Sequence, residues 1–120
     1  MRLAWLAAST VVALAAGPAG AHAFLDHADP AVGAQIPGSP KVVRLWFTER
    51  VEPKFSKVAV TTASGVPVKT GPIALSPSDA SELDLPLAGP LAPGSYKVSW
   101  QVVSTDTHRT QGDFTFEVGR

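Results

Sequence analysis

Tyr96-Lys97-Val98-Ser99-Trp100-Gln101-Val102-Val103 decides the fold class. Tyr96, Val98, Trp100 and Val102 occupy every second position, with Lys97, Ser99 and Gln101 between them. In extended chain, residues two apart project to the same side, so the segment reads as a strand with one face in a core. The same period recurs on both sides of it. Downstream, Phe114, Phe116 and Val118 alternate with Asp113, Thr115 and Glu117. Upstream, Val43, Leu45 and Phe47 share one face over 42–48, opposite Arg44 and Trp46, while Leu83, Leu85 and Leu87 alternate with Glu82, Asp84 and Pro86. Weaker strands are expected at 24–28, 57–63, 66–68 and 73–75. Turn signals separate them, among them Asp29-Pro30, Pro37-Gly38, Ser64-Gly65 and Pro93-Gly94. No window carries a capped helical period. About seven short strands at this spacing predict an all-β domain, an immunoglobulin-like antiparallel sandwich or Greek-key β-barrel.

The chain start has a different character. Arg2 precedes an apolar run over 3–16, Gly17 and Pro18 break it, and Ala19-Gly20-Ala21 is a small-residue cleavage pattern. The run is too short to span a bilayer, which takes about 20 residues. Residues 1–21 therefore read as a secretory signal peptide, and residues 22–120 as one exported domain beginning at His22. A histidine at a chain start offers its α-amine and its ring Nδ1 to one metal ion as a chelate.

Bulk composition narrows the partners. The precursor has ten basic and ten acidic residues; Arg2 leaves with the signal, so the mature balance is nine against ten, a net charge of −1. Such a balance gives no electrostatic footprint for nucleic acid or an anionic membrane. There is no cysteine, and Met1 is the single methionine. The domain must hold together through its core rather than through disulfides. Any metal site must also use nitrogen and oxygen ligands, which favours Cu(II), Ni(II) or Zn(II) over Cu(I). The mature chain is expected to be a soluble periplasmic monomer.

Ser104-Thr105-Asp106-Thr107-His108-Arg109-Thr110-Gln111-Gly112 follows the 96–103 strand. No apolar residue lies between Ser104 and Asp113, so this stretch is expected at the surface or at a sheet end. Asp106 and His108, two apart, can face one point. Taken with His22, they offer three nitrogens and one oxygen, the planar set that Cu(II) favours. By themselves, Asp106 and His108 read better as a polar turn in which Asp bonds backbone amides and His is solvated. His27 lies in the first strand and reads as a surface or hydrogen-bonded histidine. Trp46 is set apart from the other aromatics because it falls on the face opposite Val43, Leu45 and Phe47.

From His22 onward the sequence resembles the CopC family of periplasmic copper-binding proteins. The matching pieces are His22-Ala23-Phe24-Leu25, Asp29-Pro30-Ala31, Leu45-Trp46-Phe47-Thr48-Glu49, and Gly94-Ser95-Tyr96-Lys97-Val98-Ser99-Trp100. Most specific are Val102-Val103-Ser104-Thr105-Asp106-Thr107-His108 and Gly112-Asp113-Phe114-Thr115-Phe116. The resemblance implies a seven-stranded Greek-key β-barrel and a Cu(II) (Cu2+) site whose ligands map onto His22, Asp106 and His108. It also implies a carboxylate near the terminal amine, matching Glu49, that would orient the amine without binding metal. A copper-importing membrane protein of the CopD type is the implied partner. Some members carry a methionine-rich Cu(I) loop; with no methionine after position 1, this chain resembles the Cu(II)-only branch.

Two other functions compete with copper storage or delivery. Lytic polysaccharide monooxygenases also hold copper with an N-terminal histidine on a β-sandwich, which would make this a copper-dependent oxidative enzyme. Asp106 would block the equatorial position such an enzyme leaves open for oxygen, so no catalytic activity is expected. A metal-free immunoglobulin-like interaction module is the other alternative, and it predicts no tight copper binding.

Overall fold

The computed structural model describes residues 23–119. The expected signal peptide over 1–21 and the expected ligand His22 lie outside the described residues.

Among the described residues, eight strands form two four-stranded sheets. They are β1 (Leu25–Asp29), β2 (Gln35–Ile36), β3 (Val42–Phe47), β4 (Lys57–Thr62), β5 (Ala74–Ser76), β6 (Asp79–Pro86), β7 (Gly94–Val103) and β8 (Arg109–Val118). One sheet runs β1-β3-β6-β5 and the other β2-β8-β7-β4. Their pairings are antiparallel except that of β2 with β8. A 3-10 turn (Pro53–Phe55) interrupts the crossing from β3 to β4. The chain is thus the β-sandwich that the alternation predicts. Two local expectations shift. Val66–Val68 is not a strand; Pro67 forms only an isolated bridge to Thr61, flanked by bonds from Thr62 N–H to the Val66 carbonyl and from Val68 N–H to the Val60 carbonyl. Gln35–Ile36, with no alternating pattern, pairs beside β8 instead.

The core sits between the sheets and is built from the residues on the period of two. Val43, Leu45 and Phe47 of β3 and Leu83 and Leu85 of β6 face inward from one sheet. Tyr96, Val98, Trp100 and Val102 of β7, with Phe114, Phe116 and Val118 of β8, face them from the other. Edge-to-face contact of Phe47 with Trp100 (5.2 Å between centroids) joins the two layers. Gly112 stands opposite Trp100 in the β7–β8 register. A Cβ at Gly112 would lie 2.6 Å from Trp100 Cζ2, so the indole fits only over a bare backbone. At the other end of β7, the Tyr96 hydroxyl donates to the Ala92 carbonyl at 2.6 Å and ties the incoming loop to the sandwich. With no disulfide available, this continuous apolar layer carries the stability.

Candidate metal centre

The end of the sandwich where β3 stops and β7 turns into β8 gathers three separate pieces of chain. The first is the hairpin turn over 104–108. Ser104 N–H donates to the His108 carbonyl at 2.9 Å, and Thr107 N–H donates to the Ser104 carbonyl at 2.8 Å. Thr107 takes a positive φ of 74°. A short hairpin loop that ends in a left-handed residue matches the twist of the strands it joins, although glycine usually fills that position.

The second piece is the exit from β3. Thr105 N–H donates to the Arg50 carbonyl at 3.1 Å, and Val51 bridges Ser104. The third is the start of the described chain. Ala23 is fully buried, and its carbonyl accepts from Thr110 Oγ1 at 2.5 Å. Phe24 N–H donates to Thr48 Oγ1 at 3.0 Å, and its carbonyl accepts from Thr48 N–H at 2.8 Å. The residue that follows His22 is therefore fastened to β8 two positions past His108.

Asp106 and His108 meet as their spacing suggests. His108 Nδ1 lies 3.3 Å from Asp106 Oδ1, and the two side chains are 52% and 46% exposed, so an ion from solvent can reach both. Two ligands at right angles on one ion, each about 2.0 Å from it, stand about 2.8 Å apart, so one cation can reach the His108 ring and the Asp106 carboxylate together after a small adjustment. The Asp106 carboxyl is held below the ordinary aspartate value. The Ser104 hydroxyl is the main cause, partial desolvation opposes it, and the ring and N–H of His108 add to it. A carboxylate that stays ionised at neutral pH is what a metal ligand requires.

Sequence reasoning missed Ser104. Its polar neighbours place it at the surface, yet it is 1% exposed. Its hydroxyl donates to Asp106 Oδ1 and lies 3.2 Å from the His108 carbonyl. The signal was available in the two-residue step from Ser104 to Asp106, a common side-chain turn pattern. What sequence could not supply was the bridge to Val51 that draws Ser104 inside.

His27 is not part of this group. Its Nδ1 pairs with Asp26 Oδ2 at 2.7 Å, and its ring stacks on Trp46 at 4.3 Å and 7°, on the outer face of the β1–β3 pair. It is the hydrogen-bonded surface histidine that its strand position predicts, and Trp46 does lie outside the core. Glu49 is half-buried beside a shallow polar cleft of about 400 Å³ between residues 48–50 and 78–81. An apolar depression of about 320 Å³, lined by Ser39, Pro40, Lys41, Leu87, Gly89 and Pro90, lies at the opposite end of β3. Among the described residues no three histidine or carboxylate groups converge on one point. A donor set built on Asp106 and His108 needs a third group, and the nearest end of the described chain is the one that His22 precedes.

Residues 25–119 match the CopC domain family. The chain belongs to the CopC family. It is 43% identical over 98 residues to Protein YobA of Escherichia coli (strain K12), covering 82% of this chain and 79% of YobA. It is 34% identical over 120 residues to copper resistance protein C of Xanthomonas campestris pv. juglandis, covering 92% and 94% of the two chains. The crystal structure of CopC from Methylosinus trichosporium OB3b is similar with a TM-score of 0.76 and 35% identity, over 82% of this chain and 94% of that one. CopC relatives are named as copper resistance proteins, and no catalytic family is indicated. The fold class and the copper connection expected from sequence agree with this membership.

Proposed function

We propose that this CopC-family chain is a periplasmic Cu(II)-binding protein that sequesters the ion or hands it to a membrane protein of the CopD type. Export would remove residues 1–21 and leave His22 as a free N-terminus. Its amine and ring, the His108 ring and the Asp106 carboxylate would then make the ligand plane, with Glu49 orienting the amine from outside it. One observation carries the reading. The Ala23 carbonyl is bonded to Thr110 Oγ1, which fastens the chain immediately after His22 beside the Asp106–His108 turn. A plane filled by protein donors leaves no in-plane position for a substrate, which suits storage or transfer of a single ion as a monomer.

The test is a paired titration. Cu(II) is added to protein that begins at His22, with the start verified by mass spectrometry, and to protein carrying one extra residue before it. Tight binding is expected only in the first, because an added peptide bond removes the free amine and breaks the chelate. Equal binding by both would rule the chelate out. Affinity in the first protein is expected to fall as pH falls, because protons compete with the metal for the amine and ring nitrogens.

A further inference from the structure

We infer that Ser104 is the positioning residue of the copper carboxylate: its buried hydroxyl occupies Asp106 Oδ1 so that Asp106 presents one oxygen, Oδ2, to the metal. The inference rests on the proposed ligand role of Asp106. Among the described residues, every polar contact to this carboxylate falls on the same oxygen. Ser104 Oγ donates to Oδ1, His108 N–H approaches it at 3.4 Å, and His108 Nδ1 stands 3.3 Å from it. The direction of the hydroxyl is set by the sandwich and the turn together. Ser104 is bridged to Val51, its N–H is bonded to His108 and its carbonyl to Thr107, so its backbone is held and its side chain is aimed at the turn.

The consequence is a choice of denticity. Hard oxygen-seeking cations such as Ca²⁺ readily take a carboxylate through both oxygens, whereas a planar Cu(II) site needs one oxygen in its plane. A hydroxyl bond that claims Oδ1 disfavours the two-oxygen mode and leaves Oδ2 for the metal. Groups that orient a ligand in this way typically change metal affinity by about 10–100-fold when removed.

The experiment compares wild type, Ser104→Ala, Ser104→Thr, Asp106→Asn and the Ser104→Ala/Asp106→Asn double variant, all beginning at His22. Cu(II) affinity is read by chelator competition, the copper environment by its EPR spectrum, and the apo fold by thermal melting. Ser104→Ala is expected to lower affinity several-fold, less than removal of Asp106 itself, and to alter the EPR parameters, with Ser104→Thr restoring both. In the Asp106→Asn background Ser104→Ala should add nothing, because the two act as one unit. Unchanged affinity and spectrum in Ser104→Ala would overturn the inference, as would the same fold-loss with and without Asp106. So would a lowered apo melt with a wild-type copper spectrum, which marks a purely structural serine. If Asp106→Asn and His108→Ala themselves leave affinity untouched, the ligand assignment fails first and takes the role of Ser104 with it.

Discussion

Two pairs of ionisable residues in this chain have the same two-residue step and opposite physics. Glu82-x-Asp84 lies within β6 and Asp106-x-His108 in the β7–β8 turn. On β6, the two carboxylates project together from the outer face of the sheet, and Glu82 is 8% exposed. Arg44, opposite Asp84 on β3, approaches both without closing a hydrogen bond, with its Nε 3.8 Å from Glu82 and 3.7 Å from Asp84. Asp84 Oδ1 is buried without a hydrogen-bond partner. The Glu82 carboxyl is pushed up, first by its interaction with the Asp84 carboxyl, then by burial and by the Asp84 charge; the Ser76 hydroxyl and Arg44 offset only part of this. In the turn, a hydroxyl donor sits on the carboxylate and Asp106 is pulled down instead. A shared spacing puts two side chains on one side. Which groups surround them decides in which direction a carboxyl's hold on its proton moves.

The largest effect that could break this contrast is on copper. His108→Ala is expected to lower Cu(II) affinity by roughly 100-fold or more, beyond the loss from a merely supporting group, and Asp106→Ala by roughly 10-fold, since imidazole is the better copper donor. An equal or reversed ranking in chelator competition would dissolve the distinction between the turn and an ordinary polar loop. Glu82→Gln comes next, and its effect should be on stability alone. A raised folded pKa means that Glu82 favours the folded state below its ordinary value of 4.5 and loses that contribution as pH rises through the folded value. The substituted amide carries no charge at any pH, so the variant should melt higher near neutrality. The gap should close once the pH falls below 4.5. A constant gap across pH would show that packing, not the raised proton affinity of Glu82, is responsible.

Smaller effects sharpen the picture of the turn. Thr107→Gly should raise the apo melting temperature slightly, because a left-handed conformation costs a non-glycine residue about 1 kcal/mol and glycine gives back part of that gain in the unfolded state. A clear loss of stability would mean that the Thr107 Oγ1 bond to the Asp106 carbonyl outweighs the strain. The smallest change is expected for Asp106→Asn in the metal-free protein, with a sign opposite to that of Glu82→Gln. A depressed pKa contributes stability above the ordinary aspartate value and loses it as pH falls through the folded value. The variant should therefore melt marginally lower at neutral pH and converge with wild type in acid. Melts of both variants across the same pH series check the two signs together.

Much of the fold was legible because one-sided burial imposes a period of two on each long strand. The inward residues of β3, β6, β7 and β8 are those the alternation picks out. The short edge strands were less legible. Gln35–Ile36 is held by backbone pairing to β8, which leaves no mark on side-chain type. The strand expected at 66–68 had apolar residues at the right step, but its pairing with β4 stops at a single bridge from Pro67 to Thr61. β8 also begins at Arg109, four residues before its apolar alternation starts, because backbone pairing with β7 continues through polar residues.

The candidate site divides in the same way. Asp106 and His108 share a side because they are two apart, and sequence alone determined that, together with the all-β class and the restriction to nitrogen and oxygen donors. Residue spacing could not bring Ala23 against Thr110, draw Ser104 under the turn, or fasten the β3 exit to Thr105. The first of those contacts joins residues 87 positions apart in the chain, a distance that tertiary packing closes and local spacing cannot. Local pattern encodes which way a side chain points; which groups it meets is settled where the two layers stack, since burial there forces each polar group to find a partner.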